Sequence, residues 1–282
     1  MFEARNYNYT EFEKDVVNLN RKYCFARLSS VGKSVEGRSL YLIKVGNGER
    51  KVFFNAAHHG LEWMTSLVLV GFLYDYCEKY SLHQRFNIYD TEKLFADNTL
   101  YALPMVNPDG VERAVNGGVD FDTWQANARG VDLNHNYDAG FEEGKNWGIA
   151  NGYGSPGPTR YGGEYPHSEP ETRAVVSLCQ SEGFNLAVAL HSQGEEIYWE
   201  YNNFQPHDSY SFGLKMAQAG GYALSKPDYA ASFRGFKDWF LKNFRKKAYT
   251  VEIGKGKNPL PVIDFPQVYH DVSEILLCAL NG

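Results

Sequence analysis

The sequence lacks the features that mark several classes of protein. Its 282 residues include 28 Lys and Arg against 34 Asp and Glu, a formal net charge of −6. A general nucleic-acid-binding protein normally carries a basic excess, so this charge argues against nucleic acid as a partner. The longest hydrophobic stretch, residues 66–73, is far shorter than the roughly 20 residues that cross a bilayer. We therefore expect no membrane span.

Cysteine is scarce and is not arranged in pairs. Cys24, Cys77, Cys179 and Cys278 lie far apart, and no C-x-x-C motif is present. This pattern is typical of separate buried thiols in a reducing compartment and not of a disulfide scaffold. The N-terminal residues also lack the basic start and apolar core of a signal peptide. The expected location is the cytoplasm.

The remaining composition is that of an ordinary globular protein. Hydrophobic residues make up 43% and charged residues 22% of the chain. No repeat and no linker-like run of Pro, Gly or Ser divides it, although its length would permit two small domains. Aromatic residues are frequent at 15%, with 5 Trp, 20 Tyr and 18 Phe, and composition does not say whether they fill a core or line a pocket.

Short apolar runs alternate with helical patterns along the chain. Such an order is typical of an α/β domain with helices on both faces of its sheet, where ligands bind beyond the carboxyl ends of strands. The segment Asn107-Pro-Asp-Gly110 is a turn signal. We predict strands at residues 52–57, 99–106, 186–190 and 249–253, and helices at residues 66–80, 169–182, 211–222, 236–244 and 267–280.

Chemistry-bearing residues stand at the ends of two predicted strands and inside a third. His59 and Glu62 follow the first strand, His191 follows the third, and Glu252 lies inside the fourth. Each has an ordinary explanation alone, such as a hydrogen-bonded strand-end histidine. Together, two histidines and one glutamate match the ligand set of a catalytic zinc ion, and a further buried glutamate can act as a general base. These residues predict a zinc-dependent hydrolase.

Ordered motifs over residues 10–275 resemble those of the zinc metallocarboxypeptidases. The segments 191–199 and 252–261 resemble the branch that cleaves γ-D-glutamyl-meso-diaminopimelate bonds in bacterial cell-wall peptides. The matching motifs are residues 32–39, His59-x-x-Glu62, Asn107-Pro-Asp-Gly110, Gly130-Val-Asp-Leu-Asn134, Ser168-Glu-Pro-Glu-Thr172, His191-Ser192 and Thr250-Val-Glu252.

This resemblance implies a fold, a cofactor and a mechanism. It implies one α/β domain over residues 1–282, with a mixed central sheet. His59, Glu62 and His191 are then the ligands of one Zn²⁺ ion, with His58 as a competing ligand that the spacing to Glu62 disfavours. The zinc lowers the pKa of a water molecule, and Glu252 takes the proton of that water as it attacks the amide carbon.

The sequence departs from the family at the residues that bind substrate. Asn134 matches, but His135 replaces the arginine that grips a free C-terminal carboxylate in relatives that trim one residue. Gln125 stands where many relatives have an oxyanion-stabilising arginine, and Arg129 is a candidate to take over that role. Tyr229 matches the substrate-capping tyrosine only after a shift of one residue.

Three functional hypotheses remain open. The first is a zinc peptidase that hydrolyses γ-D-glutamyl-diaminopimelate bonds in muropeptides. The second is a metallocarboxypeptidase acting on ordinary peptide C-termini, against which His135 argues. The third is a weakly active or non-catalytic relative that binds zinc and peptide, against which the retained Glu252 argues. Aromatic residues concentrate in residues 153–165 and 198–204, and we expect some of their rings to form walls of the site.

Overall fold

The computed structural model describes residues 3–228 and 232–282. An eight-stranded mixed sheet forms the centre of a single α/β domain, in the order β1-β2-β4-β3-β5-β8-β6-β7. The four central strands β4, β3, β5 and β8 are mutually parallel, and β2 and β6 flank them in the antiparallel sense. The strands are Arg27–Lys33 (β1), Ser39–Gly46 (β2), Arg50–Ala56 (β3), Asn98–Leu103 (β4), Leu186–His191 (β5), Glu196–Tyr198 (β6), Ala223–Ser225 (β7) and Lys247–Glu252 (β8).

Helices cover both faces of this sheet, as the sequence predicts. Neighbouring residues Phe53 and Phe54 of β3 enter different hydrophobic clusters, because successive side chains of a strand point to opposite faces. The cluster containing Phe54 includes residues of α1, α2, α7 and α9, and the other includes residues of α6 and α8. The described helices are Tyr9–Lys22 (α1), Trp63–Ser81 (α2), Thr91–Asp97 (α3), Pro108–Asn116 (α4), Phe141–Ala150 (α5), Pro170–Glu182 (α6), Ser209–Gly220 (α7), Phe236–Phe244 (α8) and Phe265–Asn281 (α9).

The predicted strands and helices are all present, and all but one have shifted ends. The helix at residues 236–244 has the predicted bounds, whereas the strand predicted to reach residue 106 ends at Leu103. The predicted turn at Asn107 is instead a helix start. The Asn107 side chain caps α4 by accepting the Gly110 N–H at 2.9 Å, and Pro108 occupies the first turn, where its missing N–H costs nothing.

Two expectations drawn from absent features can be compared with the structure. Among the described residues, no helix has the length and apolarity required to cross a membrane. The four cysteines are unpaired, but they do not share one environment. Cys77 and Cys179 are buried, as expected, but Cys278 is half-buried and Cys24 is exposed, so the expectation of four buried thiols is wrong for these two residues.

Candidate metal centre and active site

His59 and Glu62 lie together immediately beyond the carboxyl end of β3. A single 3₁₀ turn over Gly60–Glu62 brings His59 Nδ1 within 2.8 Å of Glu62 Oε1. The backbone at Gly60 passes so close to α4 that a β-carbon there would lie 2.3 Å from the carbonyl oxygen of Gly110. Glycine is therefore required at this position for the turn to form.

His191 and Glu252 are brought together by the pairing of two parallel strands. They are the last residues of β5 and β8 and stand opposite each other in the register. The Ile253 N–H donates to the carbonyl oxygen of His191 at 2.7 Å. Beyond the strands, Asn258 exchanges two hydrogen bonds with Ser192, at 2.8 and 2.7 Å. This pairing joins the two segments that resemble the diaminopimelate-cleaving branch.

The donor atoms of three residues converge at this edge of the sheet. His191 Nδ1 lies 3.1 Å from Glu62 Oε2, and the ligand atoms of His59, Glu62 and His191 all lie within 4.8 Å of one another. The His191 and Glu62 side chains are only 2% and 3% exposed, so the carboxylate is shielded from water. Two imidazole nitrogens and one carboxylate fit the ligand preference of zinc. His58 is not part of this group: its ring stacks on that of His191 with centroids 5.5 Å apart, and its Nε2 lies 2.9 Å from the hydroxyl of Tyr137.

Asp132 supports His59 from behind, a role that sequence reasoning missed. The Asp132 Oδ1 atom lies 3.2 Å from His59 Nε2, on the side of the ring opposite Glu62. The same carboxylate accepts the backbone N–H groups of Asn134 and Arg160 at 3.1 and 2.9 Å. A carboxylate on the second nitrogen of a ligating histidine fixes the orientation of the ring. Asp132 lies inside the motif at residues 130–134, but its distance of 73 residues from His59 gave no local signal of this pairing.

A cavity of about 160 Å³ opens beside the metal-binding group formed by His59, Glu62 and His191. This space is called the zinc cavity below. It brings together most of the predicted site residues, including Gln125 and His135, at which the sequence departs from the family. Among the described residues, those lining it are His59, Gln125, Asp132, Asn134, His135, Arg160, His191 and Glu252. Arg160 was not predicted, because nothing in its local sequence separates it from a loop arginine.

Two of the predicted substrate-binding residues are not among the described residues that line this cavity. Arg129 lines a separate cavity of about 270 Å³, where its guanidinium lies 3.6 Å from the carboxylate of Glu169. Tyr229 lies outside the described residues. The neutral amides of Gln125 and Asn134 are therefore the polar groups of the predicted substrate-binding set that border the cavity together with His135.

Burial controls the charges of the groups around this cavity. Burial, reinforced by the neighbouring Glu62 carboxylate, raises the pKa of Glu252 well above its ordinary value. A raised pKa makes Glu252 a stronger proton acceptor. Burial also lowers the pKa of His135 to about 4, although the Asp132 carboxylate opposes the shift. His135 is therefore neutral at pH 7.

The aromatic loops contribute to the site less directly than expected. No Phe, Tyr or Trp occurs among the described residues that line the cavity. Burial, reinforced by the nearby Glu252 carboxylate, raises the pKa of the Tyr198 hydroxyl to about 12. Trp147 and Tyr153 stack on each other with ring centroids 6.1 Å apart, and the Arg160 guanidinium lies 5.5 Å from each ring. These two rings support a wall residue instead of forming the wall.

The sequence is similar to those of known zinc peptidases. A sequence model described as Zinc carboxypeptidase matches residues 13–274. The gamma-D-glutamyl-L-diamino acid endopeptidase 1 of Lysinibacillus sphaericus is 33% identical over 295 residues, covering 98% of this chain and 72% of that protein.

Solved structures share the fold at lower sequence identity. Bovine thrombin-activatable fibrinolysis inhibitor, solved in complex with a tick carboxypeptidase inhibitor, superposes with a TM-score of 0.80 at 18% identity, covering 99% of this chain and 97% of that chain. Murein-tripeptide amidase from Escherichia coli O157 superposes with a TM-score of 0.58 at 21% identity, covering 89% and 91%. At these identities the structural likeness establishes the fold alone.

Proposed function

The chain belongs to the zinc carboxypeptidase family, and we propose that it hydrolyses γ-D-glutamyl-diaminopimelate-type amide bonds in bacterial cell-wall peptides. The observation that carries the substrate class is the 33% identity to an endopeptidase whose name specifies a γ-D-glutamyl-L-diamino acid bond, across 98% of this chain. The paired segments after His191 and Glu252, which resemble that branch, border the same site.

The proposed mechanism assigns a role to each of five residues. His59, Glu62 and His191 hold the metal, and Asp132 keeps the His59 ring in its ligating orientation. A zinc ion held there would supply Lewis acidity, polarising the scissile carbonyl and lowering the pKa of a water molecule. Glu252, which lines the cavity beside His59 and His191, accepts a proton from the attacking water and donates it to the leaving amine.

The other side chains at the cavity favour a substrate different from an ordinary peptide C-terminus. His135 is neutral at pH 7 and cannot form the bidentate pair that an arginine makes with a terminal carboxylate. Gln125 and Asn134 offer neutral amide donors. Their hydrogen bonds suit the amide and carboxylate groups of a γ-linked peptide without requiring a free C-terminus.

Hydrolysis of two substrates by the zinc-loaded protein tests the proposal. We expect release of diaminopimelate from L-Ala-γ-D-Glu-meso-diaminopimelate, detected by mass spectrometry, and slow turnover of an acylated dipeptide with an ordinary C-terminus. Metal retained without release of diaminopimelate would overturn the substrate class, and rapid trimming of the dipeptide would favour an ordinary carboxypeptidase.

A variant of the proposed base tests the mechanism. Glu252→Gln should keep its zinc and lose about 10²–10⁴-fold in turnover, because the amide cannot accept the proton. Glu274→Gln, on α9, is the matched control and should leave both zinc content and turnover unchanged. Turnover by Glu252→Gln at the wild-type rate would remove Glu252 from the mechanism.

A further inference from the structure

Arg160 lines the zinc cavity, and its guanidinium forms no ion pair with a carboxylate of the described residues. It shares the cavity with neutral amides, histidines and the carboxylates of Asp132 and Glu252. Among the described residues, no Asp or Glu oxygen lies within 4.0 Å of its guanidinium. Its contacts within hydrogen-bond distance are made by its backbone, through the N–H to Asp132 and through the carbonyl oxygen to Arg234.

The position of Arg160 is set by contacts that hold it at the metal-binding group. Its backbone N–H donates to Asp132 Oδ2 at 2.9 Å, and the other oxygen of that carboxylate faces His59. The residue adopts a left-handed conformation with φ of 63°, which is uncommon for a side chain other than glycine, asparagine or aspartate. One carboxylate therefore fixes both the orientation of the proposed ligand His59 and the place of Arg160.

The guanidinium is also held in place by aromatic rings. It lies 5.5 Å from the ring centroids of both Trp147 and Tyr153, which are nearly parallel at 14°. Stacking of a guanidinium on aromatic faces restrains it while leaving the N–H groups at its edge available. An arginine that is restrained in this way loses little conformational freedom when it binds a ligand.

We propose that Arg160 binds a carboxylate of the substrate and thereby selects peptides that carry one near the scissile bond. The guanidinium fork matches a carboxylate with two parallel hydrogen bonds. Gln125, Asn134 and neutral His135 cannot supply this charge from the same cavity. The inference rests on the proposed function, whose γ-D-glutamyl-diaminopimelate substrates carry free carboxylates on both sides of the scissile amide.

A set of carboxamide peptides tests this assignment with a matched pair of arginine variants. The parent peptide is L-Ala-γ-D-Glu-meso-diaminopimelate, and each comparison peptide has one free carboxylate replaced by a carboxamide. Arg160→Met removes the charge and keeps the backbone bond to Asp132. Arg245→Met is the control, because Arg245 also has a left-handed backbone and lies over a ring, 4.2 Å from the centroid of Phe204, but is outside the zinc cavity.

One carboxylate should account for the effect of Arg160. In the wild type, amidation of that carboxylate should raise KM about 10- to 100-fold with a smaller change in kcat, the size expected for loss of a charged hydrogen-bonded pair. Arg160→Met should show a similarly raised KM for the parent peptide, and amidation of this carboxylate should not raise its KM further. Arg160→Lys should recover part of the preference, since it keeps the charge but not the fork. Arg245→Met should behave as the wild type.

Direct binding separates this inference from the proposed function. Calorimetry with the zinc-loaded wild type and Arg160→Met measures the affinity for each peptide without requiring turnover. Binding that depends on Arg160 and on one carboxylate, with no hydrolysis, would support the inference and overturn the proposed reaction. Identical discrimination among the peptides by both proteins would overturn the inference, and so would the absence of binding and turnover with every peptide.

Discussion

Asp132→Asn is the substitution that most directly tests how the metal site is built. The Asp132 carboxylate faces three partners: Oδ1 lies near His59 Nε2 and the Asn134 N–H, and Oδ2 accepts the Arg160 N–H. Asparagine keeps one oxygen and replaces the other with an NH₂ group. One backbone N–H therefore faces a donor in either orientation of the amide.

These contacts set the expected changes in zinc affinity and in folding free energy. Loss of the charged partner of a ligating histidine typically weakens metal binding 10- to 100-fold, which corresponds to about 1.4–2.7 kcal/mol. A buried backbone N–H left without an acceptor costs about 1–3 kcal/mol of folding free energy, whether or not metal is bound. We therefore expect Asp132→Asn to show a higher zinc Kd and a lower unfolding free energy of the metal-free protein.

Competition titration against a chromophoric chelator measures the zinc Kd, and urea unfolding with excess chelator measures the stability of the metal-free protein. Asp138→Asn is the control, since this carboxylate is 51% exposed and lies 3.4 Å from Lys242 Nζ, where a surface ion pair contributes little. A zinc Kd unchanged by Asp132→Asn would refute the proposed support of His59. A loss of stability alone would show that Asp132 holds only the backbone of the loop.

Two further substitutions, each with a control variant, test the folding stability. Burial raises the pKa of Glu171 from 4.5 to about 7. The folded state therefore favours the protonated carboxyl group, whose full contribution to the unfolding free energy is present below about pH 4.5. This contribution, about 3 kcal/mol, is lost as the pH rises through 7. In urea unfolding, Glu171→Gln should therefore become more stable relative to the wild type as the pH rises over this range. Glu182→Gln should not, because it removes a carboxylate whose pKa is lowered. Parallel plots of unfolding free energy against pH for Glu171→Gln and the wild type would contradict the shift. Gly60→Ala places a β-carbon 2.3 Å from the Gly110 oxygen and should cost at least about 1–3 kcal/mol and reduce zinc retention. Gly157→Ala should be tolerated, because its β-carbon would lie 3.8 Å from the carbonyl oxygen of Ser155, an ordinary contact. Equal denaturation midpoints for the two alanine variants would show that the turn at Gly60 can relax.

The elements predicted well are those whose local pattern agrees with their tertiary setting. The helix Phe236–Phe244 and the buried strand Leu186–His191 have strong apolar patterns over their own length. The elements that the prediction missed depend more on their surroundings. The strand Glu196–Tyr198 has only three residues and exists because β8 offers it a hydrogen-bonding edge. The turn signal at Asn107 became a cap because an asparagine side chain serves either structure.

The candidate site divides in the same way. The types and order of His59, Glu62, His191 and Glu252 indicated zinc chemistry, because few other purposes need those residues at strand ends. Their convergence to within 4.8 Å for the three proposed ligands came from the structure, and so did the register that sets His191 beside Glu252. Arg129 and Arg160 illustrate what the sequence left undecided: both are loop arginines, and only the second lines the zinc cavity.

Hydrophobic periodicity and the order of the motifs are read along the chain without knowledge of its fold, and they were sufficient to indicate an α/β domain of the zinc carboxypeptidase family and the residue types of its metal centre. The tertiary structure alone decided the pairing of Asp132 with His59 across 73 residues, the neutral state of His135 and the place of Arg160 over two rings. These features depend on burial and on distances between segments remote in sequence. Such distances are set only when the sheet and its loops have packed together.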